Sequence, residues 1–277
     1  MKKLRLALLA SGLVGVVMPA HANPTLAPHR AVYDLALDEA TESSGITGLK
    51  GRMVYEFTGG PCEGYSTSFR FVTQIDTNDA SRLTDQQTTT FEDASGKRFD
   101  FDTKSFIDQA LDKEVAGTAK SEADKLDVEI RKPENQTIDL ARTNFPTQHM
   151  IDLLNRAAKG ENFYETTLFD GSDNGDKVMS TTVVMGKKTA PATEGDPELP
   201  VLKDHARDQF WPVDIAYFNT ENQNGEGLPE YRISFKLHEN GVTRDMTMDY
   251  GDFSMKAKLV DLSLLKPAEQ ACTPKPE

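Results

Sequence analysis

His29, His149, His205 and His238 are the imidazoles that follow the first 22 residues, and Cys62 and Cys272 are the only thiols. Imidazoles serve as acids, bases and metal ligands, and thiolates as nucleophiles or redox centres. Their spacing favours neither use. No two histidines stand in an H-E-x-x-H pattern, and "HENGV" from His238 lacks the closing histidine. A G-x-S-x-G elbow, a C-x-x-C pair, a phosphate loop and a dinucleotide fingerprint are all missing. "SLLK" at 263–266, "SDN" at 172–174 and "KTA" at 188–190 partly match the motifs of penicillin-interactive serine enzymes, but in the wrong order and without the glycine of the third. "FDGSDNGDK" places Asp170, Asn174 and Gly175 near calcium-loop positions, yet Thr181 stands where the bidentate Glu belongs, so an acidic hairpin turn is expected. Triads are geometric rather than sequential. A hydrolase or transferase with His29, His149 or His238 beside a nucleophile or carboxylate in a cleft therefore stands as the alternative to a non-enzymatic binding protein, and no catalytic, cofactor or metal residue is assigned.

The N-terminal stretch "MKKLRLALLASGLVGVVMPAHA" has a basic start, an apolar middle and an Ala20-His21-Ala22 end, the pattern of a signal peptide over 1–22. Export to the periplasm is expected, with no membrane-spanning segment in the remainder. In an oxidising compartment, two cysteines and no third make one structural disulfide the default. If Cys62, in the turn "GGPCEGY", pairs with Cys272, in the tail "QACTPKPE", the chain-entropy model gives about 5 kcal/mol for so long a loop.

Loss of Lys2, Lys3 and Arg5 with the signal peptide takes the net charge from −13 to −16. Such acidity argues against nucleic acid or an anionic membrane as the main partner.

Residues 23–277 read as a single β domain. "AVYDLALDEA" and "YRISFKLHE" alternate apolar and polar side chains with period two. "GRMVYEF", "STSFRFVTQID", "DQQTTTFED", "KRFDFDT", "KLDVEIR", "NFYETTLFDG", "KVMSTTVVM", "TRDMTMDYG" and "FSMKAKLVDL" behave alike, between turns such as "DASG" and "HENG". The reading is mainly β: an antiparallel meander curled into a barrel, half-barrel or sandwich. One main helix is expected near 147–159, with Thr147 as cap, Met150, Ile151, Leu154, Ala157 and Ala158 as its apolar stripe, and Gly160 as its end. Residues 187–200 read as a surface loop, and "VLKDHARDQFWP" as a short helix broken at Pro212.

Aromatic residues are concentrated in "FWPVDIAYF", 210–218. Phe210, Trp211 and Tyr217 are candidates for an apolar surface that holds an acyl chain or a peptide segment. The same side chains could equally be core.

"HRAVYDL", "NFPTQHMIDLLNRAAKGE", "WPVDIAYF", "PEYRISFKLHENGV", "DYGDF" and the late Cys272 together resemble the EipB-like envelope integrity proteins of alphaproteobacteria, over nearly all of the chain after the signal peptide. The segment Thr189 to Pro200 departs from that pattern. The resemblance implies a periplasmic protein with a long, highly curved, spiral-like antiparallel sheet, reminiscent of lipoprotein carriers, and a disulfide between Cys62 and Cys272. It also implies a role in envelope integrity and envelope stress, through an envelope protein, such as a tetratricopeptide-repeat periplasmic protein, or through an apolar or lipidic ligand.

Overall fold

Period-two alternation does produce strands almost throughout. The computed structural model describes residues 25–191, 195–219 and 227–267; the expected signal peptide at 1–22 and Cys272 lie outside them. Eight strands come first: β1 (His29–Ala40), β2 (Ile46–Gly60), β3 (Gly64–Thr77), β4 (Ser81–Glu92), β5 (Arg98–Ile107), β6 (Ala110–Ser121), β7 (Lys125–Lys132) and β8 (Gln136–Ala141). Helix α1 (Pro146–Ala158) follows, then β9 (Phe163–Leu168), β10 (Met179–Met185), the single-turn α2 (Leu199–Leu202), β11 (Phe210–Asn219), β12 (Tyr231–His238), β13 (Thr243–Asp249) and β14 (Phe253–Leu264).

The fourteen strands of the described residues form one antiparallel sheet in the order β8-β7-β6-β5-β4-β3-β2-β1-β14-β13-β12-β11-β10-β9. Each half is a plain meander, and pairing of β1 with β14 joins the two. The edges are β8 and β9, with α1 between them in sequence. The sheet is rolled: Tyr55 and Phe69 of β2 and β3 line the same cavity as Ile215 and Tyr217 of β11, although five strands separate β3 from β11 along the sheet. Right-handed strand twist accumulated over so many strands curls an open sheet in this way.

One face of every strand points into the roll. Across β2 to β6 the register sets Tyr55, Phe69, Thr88, Thr103 and Val115 in one concave row. Helix α1 lies inside the roll and buries Leu153, Leu154 and Ala157 against Phe57, Tyr65, Tyr164, Val183 and Trp211. A second core forms where β5 to β7 meet the segment after β9, with Phe99, Phe145 and Phe169 in contact. There Phe101 lies between two glycines. A Cβ on Gly117 would stand 2.5 Å from its ring, and one on Gly171, at φ +70°, 2.6 Å, so neither position accepts a side chain without displacing the ring.

Two local expectations need correction. Thr147 does not cap α1: the N-cap is Phe145, Pro146 opens the helix, and no side chain caps it locally. Instead the carboxylate of Glu92, 1% exposed at the end of β4, accepts the backbone N–H of Thr147 at 2.7 Å and of Gln148 at 3.0 Å. The buried helix end needs acceptors, and a distant strand supplies them. Second, the short helix expected in "VLKDHARDQFWP" stops early, with helical structure at Leu199–Leu202 and a 3₁₀ turn at Lys203–His205, because Phe210–Asn219 is drawn into the sheet. Within the segment 187–200, Glu198 is the one buried position among the described residues, only 3% exposed.

Glu198 fills a break in the sheet. β13 and β14 pair only from Met246↔Ala257 to Asp249↔Ser254. A bulge at Asp245, φ +49°, then swings Thr243 and Arg244 away, while β14 continues along β1 to Leu264. The groups left over are satisfied from outside the ladder. Glu198 Oε1 accepts the Leu259 N–H at 2.6 Å, Lys203 Nζ donates to the Leu262 carbonyl at 3.2 Å, and the Tyr33 hydroxyl donates to the Thr243 carbonyl at 2.7 Å.

Candidate functional site

The inward-facing side chains do not fill the roll. Between the concave face and the first turn of α1 remains a cavity of about 340 Å³, at the lower end of the ~300–1,000 Å³ usual for small-molecule sites. Its walls are Tyr33, Met53 and Phe57 on one side, Ile215, Tyr217 and Phe235 opposite, and Met246 and Met248 between them. Pro146 and Met150 of α1 form its floor, and Leu26 with Gly241 lies at one end. Period-two alternation puts these side chains on one face, and the roll brings the two ends of that face together.

Two imidazoles interrupt the apolar lining. His29 Nδ1 donates to the carbonyl of Ala27 at 2.7 Å, which leaves Nε2 as the ring's acceptor; burial lowers its pKa. His149, on the first turn of α1, is 5% exposed. Its Nε2 has no hydrogen-bond partner among the described residues, and burial pushes its pKa down to about 4. Both rings are therefore neutral at pH 7. Neither ring places a charge in the cavity, and the His149 Nε2 is itself closed off from solvent. Among the described residues no histidine is hydrogen-bonded to a serine, threonine or cysteine, and no group of three His, Cys, Asp or Glu side chains has metal-binding geometry. What the site can do chemically is remove hydrocarbon from water and hold a few neutral polar atoms.

The three aromatic candidates separate. Trp211 and Tyr217 share the concave face, with Tyr217 in the cavity wall and stacked on Tyr231 at 4.3 Å. Trp211 is buried further along, beside α1, with Lys188 Nζ 4.7 Å from its ring centre. Phe210 points to the opposite face, where Arg244 lies 5.2 Å from its ring. Adjacent positions on a strand cannot face one ligand. Cys62 is exposed in the turn between β2 and β3, and Cys272 lies outside the described residues.

A buried polar cluster occupies the break between β13 and β14. Arg244, fully buried, donates from Nη1 to Asp196 at 2.7 Å and to Glu198 at 3.4 Å, and from Nε to His238 Nε2 at 3.1 Å. Burial, with the Arg244 charge adding to it, pushes the His238 pKa down to about 4. Glu92, Arg244 and Glu198 carry no motif. In "GVTRDMTMD" Arg244 stands beside Asp245 and reads like any solvated charge of a strand, so no local signal points to its burial.

Sheet, inward helix and cavity together define a class of β-barrel-like proteins built on one long, open, curled antiparallel sheet. No helix among the described residues is long and apolar enough to cross a membrane. The chain belongs to the EipB-like family, whose model matches residues 20–266. It is 54% identical over 255 residues, 92% of this chain and 89% of the relative, to the cell envelope integrity protein EipB of Brucella abortus (strain 2308). A crystal structure of a beta-barrel-like protein of a domain of unknown function from Brucella abortus superposes with a TM-score of 0.82 at 56% identity, covering 87% of this chain and 98% of that one.

Proposed function

We propose that the protein is a periplasmic, non-enzymatic factor that supports cell-envelope integrity by taking an apolar, acyl-bearing molecule into its cavity. The envelope role rests on its relative, named for that role, at 54% identity. The binding role rests on one observation: an apolar cavity of about 340 Å³ inside a sheet that could otherwise have packed shut. Protein interiors rarely leave such volumes unfilled, and the polar side chains in the lining, His29 and His149 among them, bring no charge to it. A disulfide between Cys62 and Cys272 belongs to the same proposal, as a tie from the β2–β3 turn to the C-terminal tail.

The test is binding of a fluorescent acyl probe to the protein and to Ile215→Trp, which fills the cavity, with Met246→Phe as a milder filling. Binding weakened at least about tenfold in the filled variants, with folding retained, is expected. Equal binding by folded wild-type and filled protein would place the probe elsewhere and reject the cavity as the site.

A further inference from the structure

We infer that the molecule held here is a single-chain amphiphile with an uncharged, hydroxyl-rich headgroup, of the alkyl glycoside or monoacylglycerol kind. This deepens the acyl-binding reading and rests on it. The apolar cavity does not end at β3. Tyr55, Thr67, Phe69 and Pro146 also line a second cavity of about 420 Å³ that continues along the concave face over β4 to β6.

The chemistry of the wall changes between the two. The second cavity is lined by Gln86, Thr88 and Thr90 of β4 and by Thr103 and Ser105 of β5. Thr88 and Thr103 are cross-strand partners with hydroxyls 3.0 Å apart. Hydroxyls and amides both donate and accept, and so match sugar or glycerol hydroxyls.

Simple solvation explains this face poorly, because the opposite face of the same strands carries charges. On the convex side Arg70 pairs with Asp85 at 2.8 Å, Arg98 with Asp100 at 2.8 Å and Lys104 with Glu114 at 3.6 Å. The concave face of β4 from Thr84 to Thr90, and of β5 from Phe99 to Ile107, holds no charged residue. At the rim of the second cavity one cation, Lys113, is outnumbered by Asp170 and Asp173. That balance does not favour a phosphate or carboxylate headgroup. The volume of the apolar part, at the low end for ligand sites, suits one chain.

The test compares dodecyl maltoside, laurate and dodecylphosphocholine, each below its micelle concentration, by calorimetry on the oxidised protein. The maltoside is expected to bind about tenfold or more tighter than the other two. Replacing Thr88 and Thr103 together by Val should erase that advantage and leave laurate unchanged, since each net hydrogen bond is worth roughly a two- to tenfold factor. Ser105→Ala should act in the same direction by about threefold, and thermal melting verifies that the variants fold. Equal binding of all three probes, a preference for phosphocholine or laurate, or a maltoside affinity untouched by the threonine changes would overturn the headgroup assignment while leaving the acyl cavity intact. If no probe binds, the acyl reading fails and this inference with it.

Discussion

The carboxylate of Glu92 holds the backbone N–H of Thr147 at 2.7 Å across 55 residues of sequence, and through it the first turn of α1 is fixed against the end of β4. That turn carries Pro146, His149 and Met150 into the cavity wall. The position of the floor therefore depends on a side chain from another element.

Glu92→Ala should destabilise the protein by roughly 1–3 kcal/mol, because it leaves the buried Thr147 N–H and the part-buried Gln148 N–H without acceptors. Hydrogen exchange at Thr147 and Gln148 should rise more than elsewhere in α1. Unchanged exchange there would mean that the helix end is held by something else.

The buried titrating groups give pH dependences of opposite sign. Burial raises the Glu92 pKa from 4.5 to about 7, against the opposing effect of its two backbone bonds. A raised folded pKa means that its contribution is full below pH 4.5 and is lost as pH rises through 7. For His149, lowered from 6.5 to about 4, the contribution is present above pH 6.5 and is lost as pH falls towards 4. In His149→Leu the wild-type-minus-variant stability difference should shrink by roughly 3 kcal/mol between those limits. In Glu92→Gln it should shrink in the other direction, from pH 4.5 up to 7. Denaturant titrations at five or six pH values would measure both slopes.

Removing Glu198 leaves the guanidinium of Arg244 with Asp196 as its one remaining carboxylate partner among the described residues, beside the neutral His238, and frees the Leu259 N–H. Glu198→Ala should cost roughly 3–5 kcal/mol, as expected when one partner of a buried ion pair is deleted. Asp196, bonded to the same Nη1 but nearer the surface, should cost less when changed to Asn. A ranking with Asp196→Asn the more damaging would show that the break between β13 and β14 is closed differently.

Cys62→Ser should lower the melting temperature and raise protease sensitivity under oxidising conditions, by up to about 5 kcal/mol on the chain-entropy account. A reductant should bring the wild type to the same midpoint. No shift under oxidising conditions would reject the proposed bond to Cys272.

How far the fold was legible depended on whether a strand shows its two faces as apolar and polar. β1, β5 and β12 do. β6 does not: in "ALDKEVAGTAKS" Val115 to Ala119 are all buried, and the small residues there exist to receive Phe101 and to let Thr118 bond Asp100 at 2.6 Å. β8 is short and polar. The aromatic run at 210–218 reads as a candidate apolar surface and its start as part of a short helix, whereas it is β11, and composition alone could not tell that Phe210 and Trp211 face opposite ways. Nor could it show the cavity, since Tyr55 and Tyr217, on opposite walls of it, come to line one space only when the sheet rolls. The capping role of Glu92 was invisible for the same reason, because a polar residue ending "TTTFE" has no local partner.

The central claim is that the cavity holds an acyl chain, and native mass spectrometry of oxidised protein purified from a periplasm, beside an organic extract of the same sample, tests it most directly. A stoichiometric co-purifying mass that extracts as an acyl compound and is lost from Ile215→Trp is the predicted result. An acyl mass retained at full stoichiometry by folded Ile215→Trp, or a clean apoprotein that also fails to take up added acyl probes, would contradict it.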